Sequence, residues 1–371
     1  MVTGAHFTPA QAVIEELKKF PESEIVYMGR KYTQEGDKSL SVESKILPSL
    51  GIKFIPIIAG RLRRNFDLWT IISFLKIPIG FVQSFFILLK EKPSVILSFG
   101  GYVSVPVVFN SWLLSIPIMI HKQTLVSGIA DSVTQIFASK VALSFEKKSQ
   151  NIKKEILTGN PIRTELINFS KKPSQELKNF LGRALTKKLP LIYITGGNQG
   201  SDIINRNISH ILEKLTKLGF VCHQTGDSKE NYFESLQNKK NEIKNGDRYL
   251  VKKWFDAEDV ALIYRNSNLV ISRAGINTLV ELSYFKLKTL VIPLPFIFRN
   301  EQVKNAKYFE DLGLCEIIYQ NNLNPQSLLS KIKLMLKNKQ SVIPKKVTDP
   351  KSAAKVIAQE VLLLGNKNDR Y

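Results

Sequence analysis

The stretch KLPLIYITGGNQGSDIINRN, at residues 188–207, decides the fold. Its apolar run is typical of a buried parallel strand, its glycines permit a tight turn, and an amphipathic helix pattern begins directly afterwards. The same order of strand, loop and helix recurs along the chain, which predicts an α/β protein with parallel sheets. Strands are expected at residues 24–28, 53–56, 95–98, 117–121, 140–144 and 155–158, and again at 189–195, 220–225, 249–252, 269–272, 289–293 and 316–319.

These strands fall into two series, which indicates two domains. A chain of 371 residues is long for a single hydrophobic core. We place the boundary at the turn Thr158-Gly159-Asn160-Pro161, so that residues 1–161 and 162–345 each form a doubly wound, Rossmann-like sheet. The two sheets should face each other across a cleft, because ligands of open α/β sheets bind beyond the carboxyl ends of the strands. Residues 346–371 are expected to form a helix that packs back toward the N-terminal domain.

The beginning of the chain departs from this pattern. Val2-Thr3-Gly4-Ala5-His6 has the character of a strand end and the loop that follows it, yet almost nothing precedes it. We therefore expect the first strand of the N-terminal sheet to be missing. Such a gap would leave unpaired backbone groups on the strands beside it.

The composition points to an anionic partner. The sequence holds 53 Lys and Arg against 32 Asp and Glu, a net charge of +21. Such a charge attracts nucleic acid, anionic lipid or a phosphate-bearing substrate. The sequence contains no zinc-finger spacing and no RRM aromatic motif. A basic nucleic-acid-binding protein is therefore the remote alternative, and we expect no nucleic-acid partner.

Cysteine and histidine are too sparse to organise the fold. Cys222 and Cys315 do not make a disulfide framework, and they fit small buried side chains in a reducing compartment. The histidines are scattered along the chain without metal-ligand spacing. We therefore expect no metal site.

One apolar stretch, LWTIISFLKIPIGFVQSFFILL at residues 68–89, is long enough to span a bilayer. Polar or helix-breaking residues interrupt it, and spanning would place one half of the chain on each side of the membrane. We expect instead a buried helix pair, or a helix whose apolar face enters the membrane surface. Basic residues at both ends favour the second interpretation: Arg61, Arg63, Arg64, Lys90 and Lys92.

Two glycine-bearing loops lie in the N-terminal half. The loop at residues 3–10 opens a helix and carries His6 at its tip. A histidine there suits a general base because its pKa lies near neutral pH, although capping or packing of the helix is the alternative. The loop at residues 98–104 carries Gly100 and Gly101, which permit close backbone approach or form a plain strand-to-helix turn.

Two further loops lie in the C-terminal half. The loop at residues 195–201 lacks the dinucleotide fingerprint, but Asn198 and Gln199 offer amides to phosphate or sugar hydroxyls. Asn205 falls two turns along the following helix on nearly the same face. The loop at residues 272–278 precedes Glu281, a carboxylate that could bind a ribose diol or stand on the surface near a helix start. Polar residues 300–302 could reach sugar hydroxyls.

The order and spacing of these motifs resemble glycosyltransferase family 28, and within it the MurG family of lipid-linked N-acetylglucosaminyltransferases of peptidoglycan synthesis. The resemblance covers nearly the whole chain. Its motifs are SFGGYVSVP at 98–106, IPIMIHKQTLVSG at 116–128, TGNPIR at 158–163, TGGNQG at 195–200 and SRAGINTLVE at 272–281, with residues 3–10 and 293–306. The resemblance implies a GT-B fold, UDP-N-acetylglucosamine as donor, and undecaprenyl-pyrophosphoryl-N-acetylmuramyl-pentapeptide as acceptor.

The resemblance also implies roles for individual residues. His6 matches the catalytic or acceptor-site histidine, Glu281 matches the glutamate that holds the ribose, and Phe255 falls where the backbone contacts uracil. Donor binding is implied for Arg163, Gly197, Asn198, Gln199, Asn205, Phe255, Ala274, Gly275, Glu281 and Gln302. The acceptor and diphosphate loops are implied to include Gly4, Gly100, Gly101, Tyr102 and Thr124.

Several positions depart from the family pattern. Ala5 replaces a glycine of the first loop, and HKQT at residues 121–124 replaces HEQN, which removes a carboxylate and an amide. Asn198 stands in place of a serine, and Glu301 stands where Gln or His is commoner. These changes bear on acceptor positioning and on the sugar more than on the fold.

We expect an inverting transfer that needs neither a metal nor a cofactor. His6 would remove the proton of the acceptor hydroxyl, and helix N-termini after the third and fourth loops would stabilise the leaving UDP, with Arg163 assisting. The enzyme should sit peripherally on the cytoplasmic side of the cell membrane, on its anionic inner leaflet. Another GT-B enzyme, such as a glycolipid glycosyltransferase or a UDP-sugar epimerase, is the alternative.

Overall fold

The computed structural model describes residues 1–32, 40–60, 68–126, 128–146, 154–168, 172–197, 199–227, 230–296, 298–338 and 350–368. The chain divides into two compact units. The first comprises residues 1–163 and 348–371, and the second comprises residues 164–347. The boundary between Arg163 and Thr164 lies two residues beyond the end of the turn at which the sequence analysis divides the chain.

The first unit is built on a parallel sheet with the strand order β3-β2-β1-β4-β5-β6-β7. Its strands are β1 Val2–Thr3, β2 Val26–Gly29, β3 Lys53–Pro56, β4 Ile96–Ser98, β5 Ile118–Lys122, β6 Lys140–Leu143 and β7 Glu155–Leu157. Its helices are α1 Phe7–Leu17, α2 Val42–Ser49, α3 Leu68–Glu91, α4 Ser104–Leu113 and α5 Ile129–Thr134, with a 3₁₀ turn at Gln135–Phe137.

The second unit is built on a parallel sheet with the order β10-β9-β8-β11-β12-β13. Its strands are β8 Leu191–Thr195, β9 Phe220–Gln224, β10 Tyr249–Lys252, β11 Leu269–Ser272, β12 Thr289–Val291 and β13 Glu316–Ile317. Its helices are α6 Thr164–Ile167, α7 Gln175–Thr186, α8 Asp202–Leu218, α9 Tyr232–Glu242, α10 Ala257–Asn266, α11 Ile276–Tyr284, α12 Glu301–Asp311 and α13 Pro325–Lys337. Short 3₁₀ turns cover Gly246–Arg248, Phe298–Asn300 and Gln320–Asn322, and the last helix, α14 Pro350–Asn368, belongs to the first unit.

The predicted fold class is confirmed. Every strand expected from the sequence is present, with ends that differ by at most two residues, and all strand pairs within both sheets are parallel. The strands could be recognised because parallel strands covered on both faces read as continuous apolar runs. The two cysteines are buried and unpaired, as the composition predicts.

The expected gap in the first sheet is a wrong prediction. Val2 and Thr3 form β1 between β2 and β4, with Val2 opposite Tyr27 and Leu97. The carbonyl of Met1 accepts the amide N–H of Leu97 at 2.9 Å, so pairing extends to the first residue. Two residues are enough because the central position of the sheet gives them partners on both sides.

Helices cover both faces of the first sheet. On one face, Ile14 of α1 and Ile357 of α14 belong to the same buried cluster as Leu97 of β4. On the other face, Leu88 of α3 packs in a cluster with Ile96 of β4. Burying each such side chain fully contributes about 1.5–3 kcal/mol. The C-terminal helix is therefore part of the core of the first unit.

Helix α3 corrects the expectation of a buried helix pair. It is one continuous helix that contains Pro78. Its stretch Ser73–Glu91 is long and apolar enough to cross a membrane by length and composition alone, and only 22% of that stretch is buried. Core packing is thus wrong for most of the apolar side chains that the structure describes here.

Candidate active site

The first two glycine loops meet at the carboxyl edge of the first sheet. The amide N–H of Ala5 donates to the carbonyl of Gly100 at 2.9 Å, and the buried hydroxyl of Tyr27 donates to the carbonyl of Gly4 at 2.9 Å. Gly101 has a φ of 82°, and a Cβ atom there would lie 2.6 Å from the Cβ of Ala5. Ala5, which stands where the family has a glycine, is therefore accommodated, because Gly101 has no side chain and leaves room for the methyl group of Ala5.

His6 stands immediately before the first residue of α1 and is half-buried. Its side chain makes no capping hydrogen bond within the described part of the chain, so helix capping does not explain it. Burial lowers the pKa of His6, Arg30 lowers it further, and the carboxylate of Asp131 opposes both. A neutral imidazole is the form that a general base requires.

Asp131, which the sequence analysis missed, holds the second glycine loop. Its Oδ1 accepts the amide N–H of Gly101 at 3.1 Å, and its Oδ2 accepts that of Gly128 at 3.4 Å. A Cβ atom on Gly100 would collide with Oδ1. The spacing of Gly128 and Asp131 is that of a capping box at the start of α5, which is the signal that could have revealed it.

Three buried polar atoms lie near the carboxyl ends of β1 and β5 without a hydrogen-bond partner among the described residues. They are Thr3 Oγ1, His121 Nδ1 and Gln123 Oε1. The other ring nitrogen of His121 lies 3.0 Å from Ser144 Oγ and 3.4 Å from the carbonyl of Gly159, and burial lowers the pKa of His121 to about 4. Unpaired buried polar atoms cost free energy unless a ligand or water pairs with them, so they favour a polar ligand here.

Three other predicted residues belong to this unit. Tyr102 is half-buried beside the core cluster under α4. The hydroxyl of Thr124 donates to the carbonyl of Val126 at 2.8 Å, so this donor is used within its own loop. Arg163 is half-buried at the end of the first stretch of this unit, residues 1–163, and directly precedes α6.

In the second unit, the loop after β8 forms a site suited to an anion. The amide of Gly200 donates to the carbonyl of Gly197 at 3.1 Å, and α8 begins directly afterwards. Ser201 precedes α8 and its buried Oγ has no partner among the described residues. A helix N-terminus with free donors attracts phosphate oxygens. Gln199 is exposed in this loop, and the predicted Asn198 lies outside the described residues.

The side chain of Asn205 is turned into the protein, and its predicted contact with the donor stays a prediction. It is fully buried, its Nδ2 donates to the carbonyl of Thr225 at 3.1 Å, and its Oδ1 lies 3.1 Å from His223 Nε2. A Cβ atom on Gly200 would collide with the same Thr225 carbonyl, so the loop packs directly on this group. Asn205 therefore supports the loop from below, because protein groups already occupy both ends of its amide.

A second buried amide links the loop to the predicted uracil site. Gln224 Oε1 accepts the amide N–H of Phe255 at 3.1 Å, and Gln224 Nε2 lies 3.4 Å from the carbonyl of Gly197. The ring of Phe255 is buried edge-on against Tyr193, with centroids 6.2 Å apart. The sequence analysis missed Gln224, for which the signal is a polar residue at the end of the apolar strand β9.

The fourth loop precedes α11 and is held by a helix that follows later in the chain. Gly275 directly precedes α11, and the carbonyl of the buried Ala274 accepts from Asn305 Nδ2 at 3.2 Å. Asn305 Oδ1 is buried and unpaired within the described chain. Asn305 was missed, although it lies three residues after Gln302 on the same helix face. Gln302 Oε1 itself accepts the amide of Leu294 at 2.9 Å.

Glu281 is buried within α11, and the hydroxyl of Tyr264 lies 3.4 Å from its Oε2. The alternative of a solvated surface carboxylate is therefore wrong. Among the described residues no group of three His, Cys, Asp or Glu side chains is arranged to hold a metal ion. Whether the chemistry is metal-independent stays a prediction.

The Rossmann-like sheets and their glycine loops define a GT-B protein. Sequence models of the glycosyltransferase family 28 N-terminal and C-terminal domains match residues 3–143 and 191–361. The chain belongs to glycosyltransferase family 28. It is 33% identical over 346 residues to a Clostridium kluyveri protein, covering 92% of this chain and 91% of that one. That protein is named UDP-N-acetylglucosamine–N-acetylmuramyl-(pentapeptide) pyrophosphoryl-undecaprenol N-acetylglucosamine transferase.

Solved structures show the same fold at lower identity. Acinetobacter baumannii MurG superposes with a TM-score of 0.68 at 21% identity, over 98% of each chain. UDP-GlcNAc 2-epimerase from Neisseria meningitidis, bound to UDP-GlcNAc, superposes with a TM-score of 0.64 at 15% identity, again over 98% of each chain. These structural similarities establish the architecture. The reaction has to be inferred from the sequence relationship to the transferases.

Proposed function

We propose that this glycosyltransferase moves N-acetylglucosamine from UDP-N-acetylglucosamine to undecaprenyl-pyrophosphoryl-N-acetylmuramyl-pentapeptide, with inversion at the anomeric carbon. The observation that carries the proposal is the 33% identity to the Clostridium kluyveri transferase over 92% of this chain. Two anion-ready helix N-termini in the second unit support a nucleotide-diphosphate donor. Unpaired polar atoms at the edge of the first sheet support a polar acceptor head.

The proposed reaction is a single displacement. An acceptor hydroxyl oxygen attacks the anomeric carbon of the sugar, the bond from that carbon to the β-phosphate oxygen breaks, and UDP leaves with the electron pair. His6, neutral because burial lowers its pKa, takes the proton from the hydroxyl. Asp131 stabilises the imidazolium that forms, since its charge raises the pKa of His6.

Charge on the leaving UDP requires preorganised donors. The N-termini of α8 and α11 supply backbone N–H groups, Ser201 supplies an unpaired hydroxyl in the described structure, and Arg163 supplies a cation. Glu281 is proposed to bind the ribose, and Gln302 to contact the sugar. No metal or cofactor is needed for these steps.

Membrane association is proposed to use α3. Large exposed side chains recur along one face of this helix with spacings of four and three residues, which is one helical stripe. We call this set the α3 stripe: Leu75, Ile79, Val82, Phe86 and Leu89. The opposite, buried face carries the small residues Ser73, Gly80 and Ser84. A surface helix of a soluble protein buries its large apolar side chains, which is the reverse of this arrangement. The α3 stripe therefore fits a lipid surface, with Lys90 and Lys92 exposed beside it at anionic headgroups.

A transfer assay with radiolabelled UDP-N-acetylglucosamine and the lipid acceptor tests the proposal. We expect label in the lipid fraction and release of UDP only when the acceptor is present. Conversion of the nucleotide sugar without acceptor would identify an epimerase, and salt-sensitive RNA binding without affinity for UDP would identify a nucleic-acid-binding protein.

His6→Ala should lower turnover by about 10²–10⁴-fold with UDP affinity unchanged. His210→Ala, an exposed histidine on α8, is the control.

A further inference from the structure

Gln224 ends β9 between the two strands that lead into the donor loops. Its register partners are Thr195, the last residue of β8, and Lys252, the last residue of β10. The chain after β8 forms the Gly197 turn, and the chain after β10 leads to Phe255. Gln224 is buried and lies between these segments at the carboxyl edge of the sheet.

The orientation of the Gln224 amide is fixed by partners that can act in only one way. The amide N–H of Phe255 can only donate, so the group 3.1 Å from it is Oε1. The carbonyl of Gly197 can only accept, so the group facing it at 3.4 Å is Nε2. Tyr193 Oη, at 3.5 Å from Oε1, and Thr195 Oγ1, at 3.4 Å from Nε2, complete the surroundings.

The amide thus joins the segment where the family resemblance implies the uracil to the turn before α8, whose N-terminus is proposed to bind the diphosphate. On one side it holds the backbone of Phe255, where the uracil is expected. On the other side, Gln224 Nε2 lies 3.4 Å from the carbonyl of Gly197, which also accepts the amide N–H of Gly200 at 3.1 Å, so this carbonyl points toward the protein. A Cβ atom at Gly197 would meet no described atom within 4 Å, so the outer side of the turn is open to a phosphate.

We propose that Gln224 is a positioning residue that sets the spacing between the base and diphosphate ends of the bound nucleotide sugar. The inference rests on the proposed function, because it takes a uridine-diphosphate sugar as the ligand. Gln224 touches no reacting atom. It lets one ligand contact both ends of the site at once. Its loss should therefore weaken the binding of UDP by more than the separate effects at the uridine end and at the diphosphate end add up to.

Two variants separate the ends. Gln224→Glu is measured from about pH 7 to about pH 9, because burial raises the pKa of a carboxyl; its ionised form can still accept from Phe255 but presents an acceptor to the carbonyl of Gly197. We expect uridine affinity like the wild type and UDP affinity about tenfold weaker, since a lost hydrogen bond is replaced by repulsion. Gln224→Met keeps the length but removes both contacts, and it should weaken uridine and UDP together.

Calorimetric titration with uridine, UMP and UDP measures these effects, and steady-state kinetics should show a raised KM for the donor with kcat changed less than threefold. Gln237→Glu, the same change on α9 in the same unit, is the matched control. Thermal unfolding checks that each variant is folded, and the ratio of uridine to UDP affinity is read within one sample. Equal ratios in the wild type and Gln224→Glu would overturn the inference alone. A wild-type protein that binds no UDP would overturn the proposed function as well.

Discussion

The carboxylate of Asp131 accepts the backbone N–H of Gly101 at 3.1 Å while its charge raises the pKa of His6. One side chain therefore shapes the second glycine loop and tunes the proposed base. Asp131→Asn keeps an oxygen for Gly101 but removes the charge. Burial and Arg30 would then act on the pKa of His6, and both lower it. His121 is a neighbouring titratable group.

For Asp131→Asn we expect the acid limb of kcat/KM to move to lower pH. A general base loses activity as pH falls through its pKa, and this substitution lowers the pKa of His6. The plateau should fall several-fold because the imidazole becomes a weaker base. A pH–rate profile measures both effects, with the exposed Asp247→Asn as control. An unmoved acid limb would contradict the role of Asp131.

A second prediction concerns the buried hydrogen-bond chain beneath the donor loop. The carbonyl of Thr225 can only accept, so Asn205 donates to it and turns Oδ1 toward His223 Nε2, which must then carry the proton. His223 Nδ1 therefore accepts from the hydroxyl of Tyr249 at 2.7 Å. Tyr249→Phe would leave Nδ1 buried and unpaired.

We expect Tyr249→Phe to lower the free energy of unfolding by about 1–3 kcal/mol, the cost of an unsatisfied buried group. Urea denaturation measures it. Tyr232→Phe, whose exposed hydroxyl bonds Glu230, should change stability by less than about 0.5 kcal/mol. Equal stability of Tyr249→Phe and Tyr232→Phe would show that the Tyr249 hydroxyl does not donate to His223 Nδ1.

A third prediction follows from His223 as a buried neutral base. Burial lowers its pKa to about 3, against 6.5 for the exposed side chain. Between these two pKa values, His223 binds a proton in the unfolded chain but stays neutral in the folded chain. The stabilisation is fully present above pH 6.5 and is lost as the pH falls toward 3.

Replacing this residue by His223→Gln should flatten the pH dependence of unfolding by about 1.4 kcal/mol per pH unit between roughly pH 4.5 and 6. Denaturation midpoints across that range give the slope. The surface variant His210→Gln sets the baseline for removing a histidine from the same unit. An unchanged slope would mean that His223 is protonated in the folded state.

Local patterns predicted the strands well, but they could not assign side-chain roles that depend on distant partners. The run at β8 reads as a buried strand whatever surrounds it. Asn205, by contrast, has the spacing of a loop-facing residue, and only the position of Thr225, 20 residues away, turns its amide inward. Gln224 joins Gly197 and Phe255 through pairing of three strands, a relation that no local window contains.

In the first sheet, local pattern also failed to predict a strand. A two-residue strand carries too little pattern to be recognised, and Val2 and Thr3 are strand only because β2 and β4 supply partners. Similarly, the apolar residues of α3 predicted a helix-sized segment but not which face is buried. That face is chosen by close packing, since a Cβ atom on Gly80 would collide with the carbonyl of Ile58.

The final prediction tests the α3 stripe. Val82 and Phe86 are 58% and 64% exposed, one turn apart. The double substitution Val82→Glu and Phe86→Glu should weaken binding to vesicles of anionic phospholipid by tenfold or more, because each burial in lipid is worth about 1.5–3 kcal/mol and a carboxylate is repelled. Vesicle sedimentation measures it. Leu185→Glu with Leu334→Glu, also exposed but on the second unit, should bind like the wild type. Equal loss in both pairs would show that net charge alone, and not this helix face, holds the protein at the membrane.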